Sequence, residues 1–181
     1  TDIKYVNYKG GFVYFISVMD GYSRAILHHE LRSEMTEKDV QIVLQKAYEK
    51  YPEAKGKTKL ISDNGKQFLA NDFSDYLKTL NIRHIRTSPM YPQSNGKLER
   101  FHRTLNEECI QKSSFIDNPD LIQQFQEFVD TYNNERLHSA LDYLPPITYL
   151  NGTYKEKLAE RKRKLEKAAE NRKIKNTNLV A

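Results

Sequence analysis

Two acids in this chain stand in backbone settings that suit chemistry. Asp63 closes the apolar run TKLIS and is followed by Asn-Gly, while Glu99 lies near the start of a helix-favouring stretch, with 35 residues between them. A third, Asp2, opens the first strand-like segment. Open α/β sheets place their sites at the carboxyl ends of strands, which is where Asp63 falls. Three carboxylates converging on one sheet edge repel each other unless a cation holds them. The single cysteine, Cys109, and the absence of a histidine pair at metal spacing leave hard oxygen ligands, which select magnesium or manganese rather than zinc. Two such ions about 4 Å apart clamp an in-line displacement at phosphorus. Beyond position and charge compensation, phosphoryl transfer asks little of a protein.

The surroundings of Glu99 fit that chemistry. Lys97, Arg100 and Arg103 share its helix and are expected to meet phosphates flanking the reacting one. The preceding loop, SPMYPQSN, is rich in Pro, Ser and Asn and is expected to order only with DNA and metal. Lys66, Tyr91, Ser94 and Asn95, on either side of the expected centre, complete the set of expected DNA contacts. Asp20, in VMDGYSR, reads as a turn residue because Asp-Gly follows a strand. His102 and His138 read as ordinary polar contacts, and Arg136 as a brace between helix ends.

Charge is unevenly placed along the 181 residues. Positions 151–181 hold ten Lys/Arg against four Asp/Glu, while positions 1–150 hold 19 against 20, so the net charge of +5 resides in the tail. A basic tail suits a polyanion such as nucleic acid, and equally suits simple solvation. No stretch approaches the roughly 20 apolar residues of a membrane span, so a soluble protein with no membrane partner is expected. TDIKYVNYKG shows no secretory pattern, and one cysteine excludes an internal disulfide, so a reduced compartment is expected.

The elements that must position these residues follow from periodicity. YVNY, FVYFISVMD and RAILHHELR read as three antiparallel strands, with a turn at Gly10-Gly11 and a buried second strand. Thr36 caps a helix over 36–50, with Val40, Val43, Leu44 and Ala47 on one face. TKLIS is a short strand, one helix carries Phe68 to Leu80, and IRHIRT is a fifth strand. Leu98, Phe101 and Leu105 face inward on the Glu99 helix. Asn118-Pro119-Asp120 starts another, with Leu121, Phe125, Phe128 and Tyr132 buried. This is an α/β layer architecture: a five-stranded mixed sheet flanked by helices, followed by a basic helical tail. Pro145-Pro146 closes the compact unit, giving expected domains of 1–150 and 151–181. The tail helix has only the thin seam of Tyr154, Leu158, Leu165 and Ala169, which suits an exposed helix or one docked on DNA or a second chain.

TDIKYV, VMDGYSRAI, ISDNGKQF, SPMYPQSNGKLERFHRTLNEE and YNNERLHSALDYLPPITY together resemble the catalytic domains of bacterial insertion-sequence transposases, within the DDE transposases and retroviral-type integrases. Lys4 and Leu137 depart from the residues that family often has there, Thr or Ser and Pro. The resemblance implies a ribonuclease H-like fold, and Asp2, Asp63 and Glu99 as catalytic acids holding two Mg2+ or Mn2+ ions. It implies cleavage of DNA at element ends and joining of the 3′-hydroxyl to target DNA by a homo-oligomer, in the bacterial cytoplasm at the nucleoid. It also implies that an amino-terminal DNA-binding region precedes this core. Two other functions share the scaffold: a nuclease that hydrolyses without joining, and a domesticated DNA-binding protein without activity.

Overall fold

The computed structural model describes residues 1–54, 56–87 and 95–180. The first three strands, β1 (Asp2–Tyr8), β2 (Gly11–Met19) and β3 (Ile26–Arg32), form an antiparallel meander in the order β1-β2-β3. The turn between β1 and β2 sits one residue earlier than expected. Lys9 and Gly10 both take positive φ, 46° and 80°, and Gly11 already pairs with Tyr8. Two positive φ angles match the right-handed strand twist, as two-residue hairpins require. Between β2 and β3, the Asp20 carboxylate accepts from the Ser23 backbone and hydroxyl, both at 2.6 Å, confirming Asp20 as a turn residue. The same turn holds Arg24 at φ +63°.

The fourth and fifth strands, β4 (Lys59–Ser62) and β5 (Arg83–Arg86), run parallel. All five expected strands form, but they pair as a three-stranded and a two-stranded ladder rather than one continuous sheet. The two ladders meet where the Thr1 nitrogen donates to the Ile61 carbonyl at 2.7 Å.

Helix α1 (Glu37–Lys50) begins as expected. Thr36 caps Asp39, whose side chain caps Thr36 in return. The helix expected from Phe68 to Leu80 is two: α2 (Lys66–Leu69) and α3 (Asn71–Thr79), divided at Ala70, which is extended at ψ 139°. Five residues on one straight helix would set Phe68 and Phe73 roughly 140° apart. The break lets both bury, with ring centroids 5.6 Å apart. Helix α4 (Gly96–Leu105) continues into one π-helical stretch, Asn106–Ile110, and α5 (Asn118–Asn134) follows. Asp117 caps α5, and its buried residues are Leu121, Phe125, Val129 and Tyr132, with Phe128 only partly buried.

Two cores result. One face of β2, with Ile16 and Val18, packs against α1, α3 and β4, while Phe15 on the other face packs against α4 and α5. The central strand is therefore covered on both sides, as its unbroken apolar run implies.

After α6 (Pro146–Leu150), helix α7 (Tyr154–Val180) carries the basic tail. Its start is fastened: Tyr154 stacks on Tyr149 at 4.4 Å, and Arg161 donates to the Asp142 and Tyr143 carbonyls at 2.5 and 3.2 Å. Farther along, Leu165 is 61% exposed. No described helix is long and apolar enough to cross a membrane.

Candidate active site

Asp2 begins β1, opposite Ser17 of β2. Its Oδ1 accepts from the Ile3 backbone at 2.9 Å, and its Oδ2 lies 3.3 Å from His102 Nδ1. The other imidazole nitrogen, Nε2, is 3.4 Å from Ser17 Oγ. His102 is buried on the inner face of α4, between Leu98 and Leu105. A facing carboxylate favours a proton on Nδ1, leaving Nε2 to accept from the serine hydroxyl. Sequence reasoning read His102 as a polar contact but missed that its partner is Asp2. The available signal was its position one helical turn after Glu99.

Asp63 follows β4 directly and is exposed. Its Oδ1 accepts from the Gly65 backbone at 3.0 Å, closing the Asn-Gly turn that ends the strand. A Cβ on Gly65 would come within 3.1 Å of that same oxygen, so a side chain there would crowd the Asp63 carboxylate and oblige it to shift. The Thr1–Ile61 bond sets the start of β1 beside the end of β4, and with it Asp2 beside the Asp63 turn. The Asp2 and Asp63 carboxylates both lie within electrostatic reach of the Thr1 nitrogen.

Glu99 is exposed in the first turn of α4, where the helix dipole favours an acid. It precedes His102 by three residues, so their Cβ atoms are neighbours on one face, roughly 5–6 Å apart. The helix is thereby docked on Asp2 with Glu99 one turn from the contact. No three His, Cys, Asp or Glu side chains among the described residues stand close enough to hold a metal ion. Asp2 and Asp63 are thus brought to one junction, and Glu99 to its edge.

Among the expected DNA contacts, Lys66, Lys97, Arg100 and Arg103 are exposed, and Asn95 is buried at the start of α4. Lys97 Nζ donates to the Gly21 carbonyl at 2.5 Å. Gln67 donates to the Met35 carbonyl at 2.9 Å and so belongs to the scaffold. Tyr91, Ser94 and the expected ordering of the loop lie outside the described residues. Arg136 braces helix ends as expected, through a two-pronged ion pair with Glu108.

Residues 1–92 and, separately, 80–146 match family models described as the integrase core domain. The transposase for insertion sequence element IS904 from Lactococcus lactis is 28% identical over 149 residues, covering 80% of this chain and 57% of the relative. The transposase InsF for insertion sequence IS3A from Escherichia coli is 26% identical over 152 residues, covering 83% of this chain and 52% of its own length. This chain therefore spans about half the length of these relatives. Among solved structures, the catalytic core domain of BIV integrase superposes with a TM-score of 0.63 at 18% identity, covering 86% of this chain and 95% of that one. The HTLV-2 integrase catalytic core in complex with magnesium gives 0.52 at 18% identity, covering 80% of this chain and 88% of that one. The shared fold is the ribonuclease H-like fold of retroviral integrase cores.

Proposed function

The chain belongs to the integrase core domain family, and we propose from that premise that it is the catalytic part of a DNA transposase or integrase. On this reading residues 1–150 form the catalytic core, residues 151–181 a basic helical tail, and the substrate is DNA. Asp2, Asp63 and Glu99 are the catalytic acids. The observation that carries the assignment is the seating of His102 against Asp2, which ties the helix of Glu99 to the strand junction bearing the two aspartates.

The residues suit a divalent ion. The donor set is all carboxylate oxygen, Asp63 and Glu99 are solvent-exposed, and Asp2 is preset by the Ile3 amide and His102. Magnesium or manganese held by these three would lower the cost of charge on the attacking and leaving oxygens. The protein's own part is positional. His102 fixes Asp2, the Asn-Gly turn fixes Asp63, and Lys66, Arg100 and Arg103 offset phosphate charge. In the first reaction a water oxygen bonds to phosphorus as the bond to the 3′ oxygen breaks, and that oxygen leaves protonated. In the second, the freed 3′-hydroxyl oxygen bonds to a target phosphorus as that phosphorus loses its bond to the target strand's own 3′ oxygen, which leaves protonated. Joining two element ends calls for more than one subunit on DNA.

The test is strand cutting and joining of labelled branched DNA with manganese. Asp63→Asn and Glu99→Gln are each expected to lower both by at least a hundredfold. Glu99→Gln should bind DNA as well as or better than the parent, because a negative charge beside phosphate is removed. Retained cutting by Glu99→Gln removes that residue from the site. Magnesium should also raise the melting temperature of the parent but not of Asp63→Asn.

A further inference from the structure

Helix α4 has a second functional-looking flank. Lys97, Arg100, Phe101 and Thr104 lie along one stripe, roughly 150° around the helix from Glu99. That stripe forms a wall of a cleft of about 420 Å³, closed by Arg24 from the β2–β3 turn and by the segment from Arg136 to Ala140. Four cations, Arg24, Lys97, Arg100 and Arg136, line it, and no carboxylate does. Lys97 is occupied by the Gly21 carbonyl, and Arg136 by Glu108, which lies outside the cleft. The guanidinium groups of Arg24 and Arg100 have no hydrogen-bond or carboxylate partner among the described residues.

Such convergence is costly by itself. Like charges disfavour one another, and Arg24 is half-buried, so its five N–H donors are partly withdrawn from water without being paired. Its φ of +63° adds backbone strain in a residue that is not glycine. An anion with several acceptor oxygens relieves the electrostatic cost, and the planar arginine fork matches phosphate geometry.

We propose that this cleft seats a backbone phosphodiester of the DNA, gripped by Arg24 and Arg100 within the field of Lys97 and Arg136. The assignment rests on the reading that the protein acts on DNA. It adds a contact on the flank of α4 facing away from the acids, and brings in Arg24 and Arg136, which lie far from Glu99 in the chain. The cleft then fixes how the duplex lies across α4 while Glu99 addresses the scissile bond.

His138 reports on occupancy. Its Nε2 is buried with no hydrogen-bond partner among the described residues, and the ring stands edge-on to the Tyr132 ring at 4.9 Å. Burial, then the charges of Arg136 and Arg24, hold its imidazole down at about 4. A phosphate between those arginines offsets their charge and raises it.

The experiment is binding of a fluorescein-labelled 30-base-pair duplex by anisotropy in EDTA, across a potassium chloride series. The parent is compared with Arg24→Asn, which tolerates the left-handed backbone, and Arg100→Gln. Each variant is expected to bind about 5- to 10-fold more weakly with an unchanged melting temperature, and each lost phosphate contact should lower the slope of log Kd against log salt by about 0.9. In the parent, the His138 imidazole followed by NMR should titrate at least one pH unit higher with duplex present. Parental affinity and slope in both variants, or a His138 midpoint indifferent to DNA, overturns the cleft. An acidic protein segment as the true occupant would give that same null with DNA. Because EDTA removes the metal, this outcome is independent of the cutting assay. Loss of cutting in Glu99→Gln with parental binding in the arginine variants rejects the cleft and keeps the enzyme. The converse pattern keeps the cleft and rejects the acids.

Discussion

At the scale of single residues, His102 governs more than its type suggests. It is a buried imidazole whose two nitrogens face Asp2 and Ser17, so removing it frees an acid and orphans a hydroxyl together. His102→Ala is expected to cost about 1–3 kcal/mol in denaturant unfolding, and to lower kcat in the DNA-cutting assay more than it weakens DNA binding. His102→Gln, which can still donate toward Asp2, should recover part of kcat. A variant with parental kcat would reduce His102 to a packing residue. The backbone settings of the two proposed acids were legible in the sequence because they are local: Asp63 ends a strand before Asn-Gly, and Glu99 stands in the first turn of a basic helix. The Asp2–His102 pairing was not legible, since it depends on where α4 lands on β1, a long-range packing outcome. Arg24 was hidden for the same reason, and nothing in VMDGYSR announces that its arginine faces Arg100 across a cleft.

At the scale of elements, strand β3 makes the fold sensitive to acid. Burial, then the neighbouring His28, lowers His29 from its ordinary 6.5 to about 4. Its stabilising effect is complete above pH 6.5 and is lost as pH falls toward 4, because the unfolded chain takes up a proton that the folded chain refuses. Burial alone would raise Glu30, but hydrogen bonds from Lys46, His28 and Arg32 outweigh it and hold the carboxyl at about 2. That contribution is lost in turn between about 4.5 and 2. Urea midpoints should fall in two stages, and His29→Gln should flatten the first. Glu30→Gln should cost about 1–2 kcal/mol at pH 7, a figure reduced for solvent screening, and flatten the second. The capped start of α1 could be read directly from Thr36 and Asp39, because a capping box is a contact between residues three apart. The division of α2 from α3 could not. Ala70 is a good helix former, and only the need to bury both Phe68 and Phe73 turns the chain there.

At the scale of the whole molecule, α7 leaves the body after its anchored start and presents cations to solvent. Deleting residues 166–181 removes four Lys/Arg and two Asp/Glu while sparing Tyr154 and Arg161. Unfolding free energy should change by less than about 0.5 kcal/mol, and the salt slope of DNA binding should fall by roughly one to three. An unchanged slope assigns α7 to protein contacts instead. Strand β2 has a different reach. Consecutive residues Phe15 and Ile16 belong to opposite cores, one with α4 and the other with α1, so the strand acts as a party wall. One extra residue between Val13 and Val18 would exchange the occupants of both rooms at once, sending the phenylalanine toward α1 and the isoleucine toward α4. An insertion scan should therefore show β2 as a silent band in which no functional clone survives.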